Sequence, residues 1–204
     1  ISNKEYLEGY AASQTKAKLA ILDSFKVGDK YYAELNSLGE YNLYSITNNK
    51  FVKKVMVEDL FDLGFSDGIK YVQNNTKVIL FGATGQKPGE LKMYDIESGK
   101  KLWSIKFDNL EDFYVVDFEI INDEIYLLDG CSSYFYKIDF NGKILFEKKI
   151  ANIENNIKNC NEYRYYIKDI KDSNITIYYE DENAEKVINY YLVDKDFNVK
   201  KVEE

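Results

Sequence analysis

The sequence predicts an all-β chain of four consecutive four-stranded antiparallel meanders. Three observations carry that prediction. The composition favours strands, with 19 Tyr and 12 Phe against a single Pro, because aromatic side chains pack well on a pleated surface. No long stretch keeps the 3.6-residue apolar period that an amphipathic helix requires. One strand–turn–strand unit also recurs. Tyr44-Ser45-Ile46, Tyr94-Asp95-Ile96, Tyr136-Lys137-Ile138 and Tyr191-Leu192-Val193 lie 50, 42 and 55 residues apart, each followed by turn residues and a further strand.

The elements follow in order. The first repeat, 16–57, reads as strands over KAKLAILDSFKVG, KYYAELNS, EYNLYSIT and KFVKKVMV, with Asn48 and Asn49 at its last corner. The second, 66–107, gives SDGIKYVQN, TKVILFGA, GELKMYDIE and KKLWSIKF, with Ser98-Gly99 at the corresponding corner. The third, 113–150, gives FYVVDFEIIN, EIYLLDG, SSYFYKID and KILFEKKI, and the fourth, 163–204, gives YRYYIKDIK, SNITIYYE, KVINYYLVD and FNVKKVEE. Gly, Asn and Asp stand at the corners, where positive φ or a side chain bonded to its own backbone is needed. Residues 1–15 are either an outer strand that closes another repeat or a frayed terminus. The whole of 1–204 is expected to form one domain, since 204 residues with 45% hydrophobic content can bury a sizeable core.

A four-stranded meander repeated every 40 to 50 residues or so is the pattern of a β-propeller blade. Tyr94 to Trp103 (YDIESGKKLW) resembles the strand–turn–strand of pyrroloquinoline-quinone-like (PQQ-like) repeats, with their Asp, Thr/Ser-Gly corner and following Trp. Tyr136 to Phe146 is similar without the Trp, and the other two copies match in pattern only, as PQQ-like or WD-type blades. The resemblance implies a propeller or propeller-like fold. It also implies, as an alternative activity, a quinone-dependent dehydrogenase, whose tryptophan-lined cofactor floor is hard to build from one Trp. Four blades can close a small ring or belong to a larger one. Repeats that fill the sequence from end to end favour the small ring.

Charge and missing residue types narrow the chemistry. A net charge of −8 argues against nucleic acid or an anionic membrane surface as partner, since both need clustered Lys and Arg. No apolar run reaches the roughly 18 residues of a membrane span. With no histidine, Ser-His-Asp and Cys-His catalysis and His-ligated metal sites are impossible. The loop GATGQKPGE (82–90) lacks the Gly-Lys-Ser/Thr ending of a phosphate loop and reads as a turn between strands two and three.

A meander places its connections on alternate sides. The strand 2–3 loops and the links between repeats share one face, and that face collects Glu40, Glu58, Asp59, Asp62, Asp67, Glu90, Asp108, Glu111, Asp112, Glu154, Glu162, Asp181, Glu182 and Glu185. Lys87 and Lys158 oppose them. The bland reading is a solvated loop face on an acidic chain. The functional reading is a binding surface for a protein, peptide or cationic ligand, centred on Glu58, Asp59, Asp62, Glu111 and Asp112, because like charges in a concavity focus potential. Asp59/Asp62 and Glu111/Asp112 also keep a carboxylate-dependent hydrolase or lyase formally open.

No cofactor or metal is expected, with calcium as the alternative. Asp194-Lys195-Asp196-Phe197-Asn198 opens like a calcium loop, but Val199 stands where the loop glycine belongs and no bidentate Glu follows, so it reads as a turn. Cys131 and Cys160 project from the acidic face in adjacent repeats and form a disulfide candidate, with free thiols as the alternative. A disulfide would place the chain outside the cell or on its surface rather than in the cytoplasm. A start at Ile1 rather than Met is expected of a processed or trimmed chain and leaves export open. Trp103, with Ile105 and Phe107 on one strand face, reads as packing between repeats, with carbohydrate stacking as the alternative. The function expected from these readings is a non-catalytic binding module.

Overall fold

A computed structural model of the chain describes residues 20–58, 60, 68–84, 87–107, 116–129, 134–149, 163–171, 174–181, 183–194, 196 and 198–202. Four antiparallel sheets follow one another along the sequence, each a meander whose strands pair in chain order. The first holds β1 (Ile21–Val27), β2 (Tyr31–Asn36), β3 (Glu40–Ser45) and β4 (Phe51–Met56). The second holds β5 (Gly68–Val72), β6 (Lys77–Thr84), β7 (Lys87–Asp95) and β8 (Lys101–Phe107). The third holds β9 (Val116–Ile121), β10 (Glu124–Asp129), β11 (Tyr134–Asp139) and β12 (Ile144–Lys149). The fourth holds β13 (Tyr163–Lys171), β14 (Asn174–Asp181), β15 (Lys186–Val193) and β16 (Val199–Val202). The all-β, four-meander architecture of a propeller-like array is thus the observed one.

The corner between the third and fourth strands of a sheet is built by a side chain that caps its own turn. Asp95 Oδ1 accepts from Ser98 N at 2.8 Å and from Ser98 Oγ at 2.6 Å, and Gly99 N–H returns to the Asp95 carbonyl at 2.8 Å. Asp139 Oδ1 accepts from the N–H groups of Asn141 and Lys143, each at 2.9 Å. Asp194 Oδ1 accepts from Asp196 N and Asn198 N at 2.9 and 2.8 Å. The Asp-x-Asp-x-Asn stretch therefore works as a turn, its first carboxylate bonded to backbone donors. Among the described residues, no group of three or more Asp, Glu, Cys or His is placed to hold a metal ion.

The chain divides into two compact units. One comprises residues 1–62, 69–80 and 93–102, the other 63–68, 81–92 and 103–204. In the first unit, Gly28 N–H donates to the Asn74 carbonyl at 2.9 Å, and Asn75 Nδ2 donates to the Lys26 carbonyl at 3.0 Å. These bonds tie the first hairpin turns of the first two sheets together. Phe25 packs on Tyr71 with ring centroids 4.4 Å apart, and the buried Tyr41 hydroxyl meets that of Tyr71 at 3.1 Å. Gly99 adopts φ +70°, and a Cβ there would come within 2.5 Å of the Met56 carbonyl oxygen. Glycine is required twice over, by conformation and by space.

The second unit repeats the device. Gly142, at φ +79°, lies so close to the indole of Trp103 that an added Cβ would sit 2.8 Å from the ring. Trp103 Nε1–H donates to the Phe140 carbonyl at 2.9 Å. Two residues further along each time on β8, Ile105 and then Phe107 point to the same side; Phe107 lies between Phe81 (6.5 Å) and Tyr136 (4.8 Å). Trp103 is therefore packing between the second and third sheets. Further along, Tyr126, Leu128 and Phe135 of the third sheet share one core with Tyr165, Ile167, Ile175, Ile177, Tyr179, Tyr191 and Val193 of the fourth. Ile167 N–H also donates to the Asp117 carboxylate at 2.9 Å. Burial of each such side chain stabilises the fold by about 1.5–3 kcal/mol.

Candidate interaction face

Of the residues expected to centre an acidic site, Glu58 is described, and it is exposed just beyond β4. Asp59, Asp62, Glu111 and Asp112 lie outside the described residues, as do Cys131 and Cys160. Several described acids of the same loop face serve their own sheets. Glu40 accepts from Asn36 Nδ2 and Lys54 Nζ, both at 2.9 Å. Partial burial pushes the Glu40 carboxyl up, but those two donors outweigh it and hold the group below its ordinary range. Glu90 pairs at 3.2 Å with the buried Lys92. Asp181 Oδ1 accepts from the N–H groups of Asn183 and Ala184 at 3.0 and 3.1 Å.

The first sheet offers a different surface. Its register sorts the side chains into two faces. Phe25, Ala33 and Leu43 stand in one row and Leu35, Tyr41 and Val55 in the next, and all but Phe25 are buried. The opposite face carries the row Lys26–Tyr32–Tyr44–Phe51 and, beside it, Ser24–Glu34–Asn42–Lys54. A bulge between Leu43 and Tyr44 brings Phe51 opposite Tyr44, where the rings meet edge to face at 5.8 Å. Hydrogen bonding to Glu34, with lesser help from burial and the negative charge, pushes the Tyr44 hydroxyl above its ordinary pKa. The row is therefore apolar in its rings and polar at its tips.

This face is open. Tyr32 is 42% exposed, Ile46 just beyond β3 is 40% exposed and Phe51 is 56% exposed. Ile21, Leu22, Leu38, Val52 and Met56 are exposed on the same sheet, whereas the other three sheets contribute Leu102, Ile144, Leu145 and Ile188. Exposed large apolar side chains among the described residues thus gather on the first sheet. An exposed apolar patch is the mark of an interaction surface, and the row Tyr32–Tyr44–Phe51, continued just beyond β3 by Ile46, is the connected part of this one. Its aromatic rings with hydroxyl tips are the residue types enriched in protein interfaces.

In the sequence, Tyr44 and Ile46 read as repeat anchors and not as surface. Nothing in their own residues distinguishes them from Tyr94-Ile96, Tyr136-Ile138 or Tyr191-Val193. The distinction lies in what covers each pair.

No family model matches the chain, and no curated protein does. Solved structures similar to it include the Neurospora crassa Pan2 WD40 domain, at 16% identity and a TM-score of 0.47, covering 90% of this chain and 50% of that one. The WD40 β-propeller domain of Doa1 gives 13% identity and a TM-score of 0.41, with 91% and 51% covered. The C-terminal WD40 domain of Sif2 gives 7% identity and a TM-score of 0.41, with 91% and 60% covered. The chain therefore spans between 50% and 60% of the length of those domains. They are of the WD type, one of the two blade types that the sequence resembles.

Proposed function

We propose that the chain is a non-catalytic, protein-binding module that uses the outward face of its first sheet. The observation that carries this reading is the open aromatic row Tyr32–Tyr44–Phe51 with Ile46 beside it, on the sheet where exposed apolar side chains gather. Rigid strands hold the row in register, so a partner meets a preformed surface and little side-chain freedom is lost on binding. The acidic loop face and an exported or cell-surface location remain further parts of the proposal. They depend on Asp59, Asp62, Glu111, Asp112 and on pairing of Cys131 with Cys160. A hydrolase, lyase or quinone-dependent dehydrogenase is the alternative reading.

The test is partner capture by the immobilised chain. Phe51→Glu and Ile46→Glu should abolish capture of a species that both wild type and Leu145→Lys retain, Leu145 being exposed on the third sheet. Capture indifferent to Phe51→Glu and Ile46→Glu, but lost when Glu58, Asp59, Asp62, Glu111 and Asp112 become amides, would move the site to the acidic loops.

A further inference from the structure

The four anchor pairs occupy one position in four successive sheets, and three of them are buried. Tyr94 and Ile96 are both 0% exposed, Tyr136 and Ile138 are 2% and 0%, and Tyr191 and Val193 are 4% and 0%. In the third and fourth sheets the cover is the preceding sheet. Phe107 of β8 lies on Tyr136, and Tyr126, Leu128 and Phe135 share a core with Tyr191 and Val193. The equivalent pair in the first sheet is Tyr44, half-buried, and Ile46, 40% exposed. The same residue types at the same place in the meander thus form a surface made to receive the neighbouring face of a propeller-type sheet.

The fourth sheet supplies such a face. Opposite the core it shares with the third sheet, it carries the row Tyr166–Tyr178–Tyr190–Val202, with Leu192, two residues after Tyr190 on β15, on the same side. Tyr166 and Tyr178 stack at 5.1 Å, and Lys168 Nζ stands 4.1 Å from the centre of the Tyr190 ring. In the third sheet the corresponding side, with Tyr126, Leu128 and Phe135, is the one buried under the fourth. Tyr178, Tyr190 and Leu192 are half-buried rather than buried.

We propose that the occupant of the first sheet's open face is the fourth sheet of a second copy of this chain. This rests on the reading of the first sheet as the binding surface and names its partner. The contact is heterologous, since two different faces meet, so it either closes at a fixed number of copies or runs on into filaments. The cover that Tyr136 and Tyr191 receive within the chain is what Tyr44 receives from the neighbour.

The experiment measures self-association by sedimentation velocity over a concentration series, with far-UV circular dichroism as the check on folding. Wild type should associate. Ile46→Glu and Leu192→Glu should each weaken association by on the order of tenfold or more. Mixing the two variants should restore a pair, because an intact first sheet on one meets an intact fourth sheet on the other. In parallel, the double variant Ile46→Cys/Leu192→Cys should cross-link between chains under oxidation, and neither single variant should do so through the new thiol. A wild type that stays monomeric throughout overturns the inference, as does unimpaired association of Leu192→Glu or a cross-link within one chain. If the wild type stays monomeric while Phe51→Glu still abolishes partner capture, the second-copy assignment fails and the reading of the first sheet survives.

Discussion

Replacing Gly142 by alanine tests how successive sheets are locked together. The backbone there is left-handed at φ +79°, and the new Cβ would lie 2.8 Å from the Trp103 indole. An L-residue in that conformation costs about 1–2 kcal/mol. The contact is far inside van der Waals distance, so the indole must also move. Forcing it off its rotamer costs about 0.5–1.5 kcal/mol, and losing the bond from Nε1 to the Phe140 carbonyl costs about 0.5–1.5 kcal/mol more. Gly142→Ala should therefore destabilise by about 2–5 kcal/mol, a large fraction of the stability of a typical domain. Urea unfolding followed by far-UV circular dichroism measures it. In a Trp103→Ala background only the backbone component remains, and the cost should fall to about 1–2 kcal/mol, a coupling that a double-mutant cycle isolates. An equal cost in both backgrounds would refute the indole contact as the lock between β8 and the turn after β11.

Gly99→Ala should be more damaging than Gly142→Ala, because the atom 2.5 Å from its Cβ is the Met56 carbonyl oxygen, a backbone atom that cannot rotate aside; the urea midpoints of the two variants decide this. Ile46→Glu should change stability by less than about 1 kcal/mol, whereas Ile138→Glu, at the equivalent but fully buried position, buries an unpaired charge and should prevent folding. Burial pushes the Tyr41 hydroxyl well up, with further contributions from Tyr71 and Asp23. A raised folded pKa means stability that is whole below about pH 10 and lost as pH rises further, so alkaline melting should be steep and Tyr41→Phe should flatten it. Asp95 behaves oppositely. Partial burial raises its carboxyl, but bonds from Lys77 and Ser98 more than offset this and hold it low. Its contribution is therefore present above about pH 4 and lost as pH falls through the lower folded value; Asp95→Asn should reduce the acid sensitivity of the melting temperature.

The sequence by itself determined the sheets. Strand pattern and turn chemistry are local: apolar alternation sets the face of each side chain, and Asp95, Asp139 and Asp194 close corners with donors a few residues away. Repetition of the Tyr-x-Ile/Val anchor extended that local reading to four meanders. It also marked Trp103 as packing, because its strand face continues through Ile105 into the buried Phe107. The acidic loop face was legible as a placement of charge, from the alternating sides of a meander's connections, but not as a set of free carboxylates. Fourteen acids counted along a chain do not reveal that Glu40 and Glu90 are paired with lysines and that Asp181 caps its own turn. Tertiary structure alone decided which copy of the repeat is surface. Tyr44-Ile46 and Tyr136-Ile138 are written alike, yet the second lies under Phe107 and the first is open. Burial depends on the neighbouring sheet, and a residue's own sequence context holds no record of that neighbour.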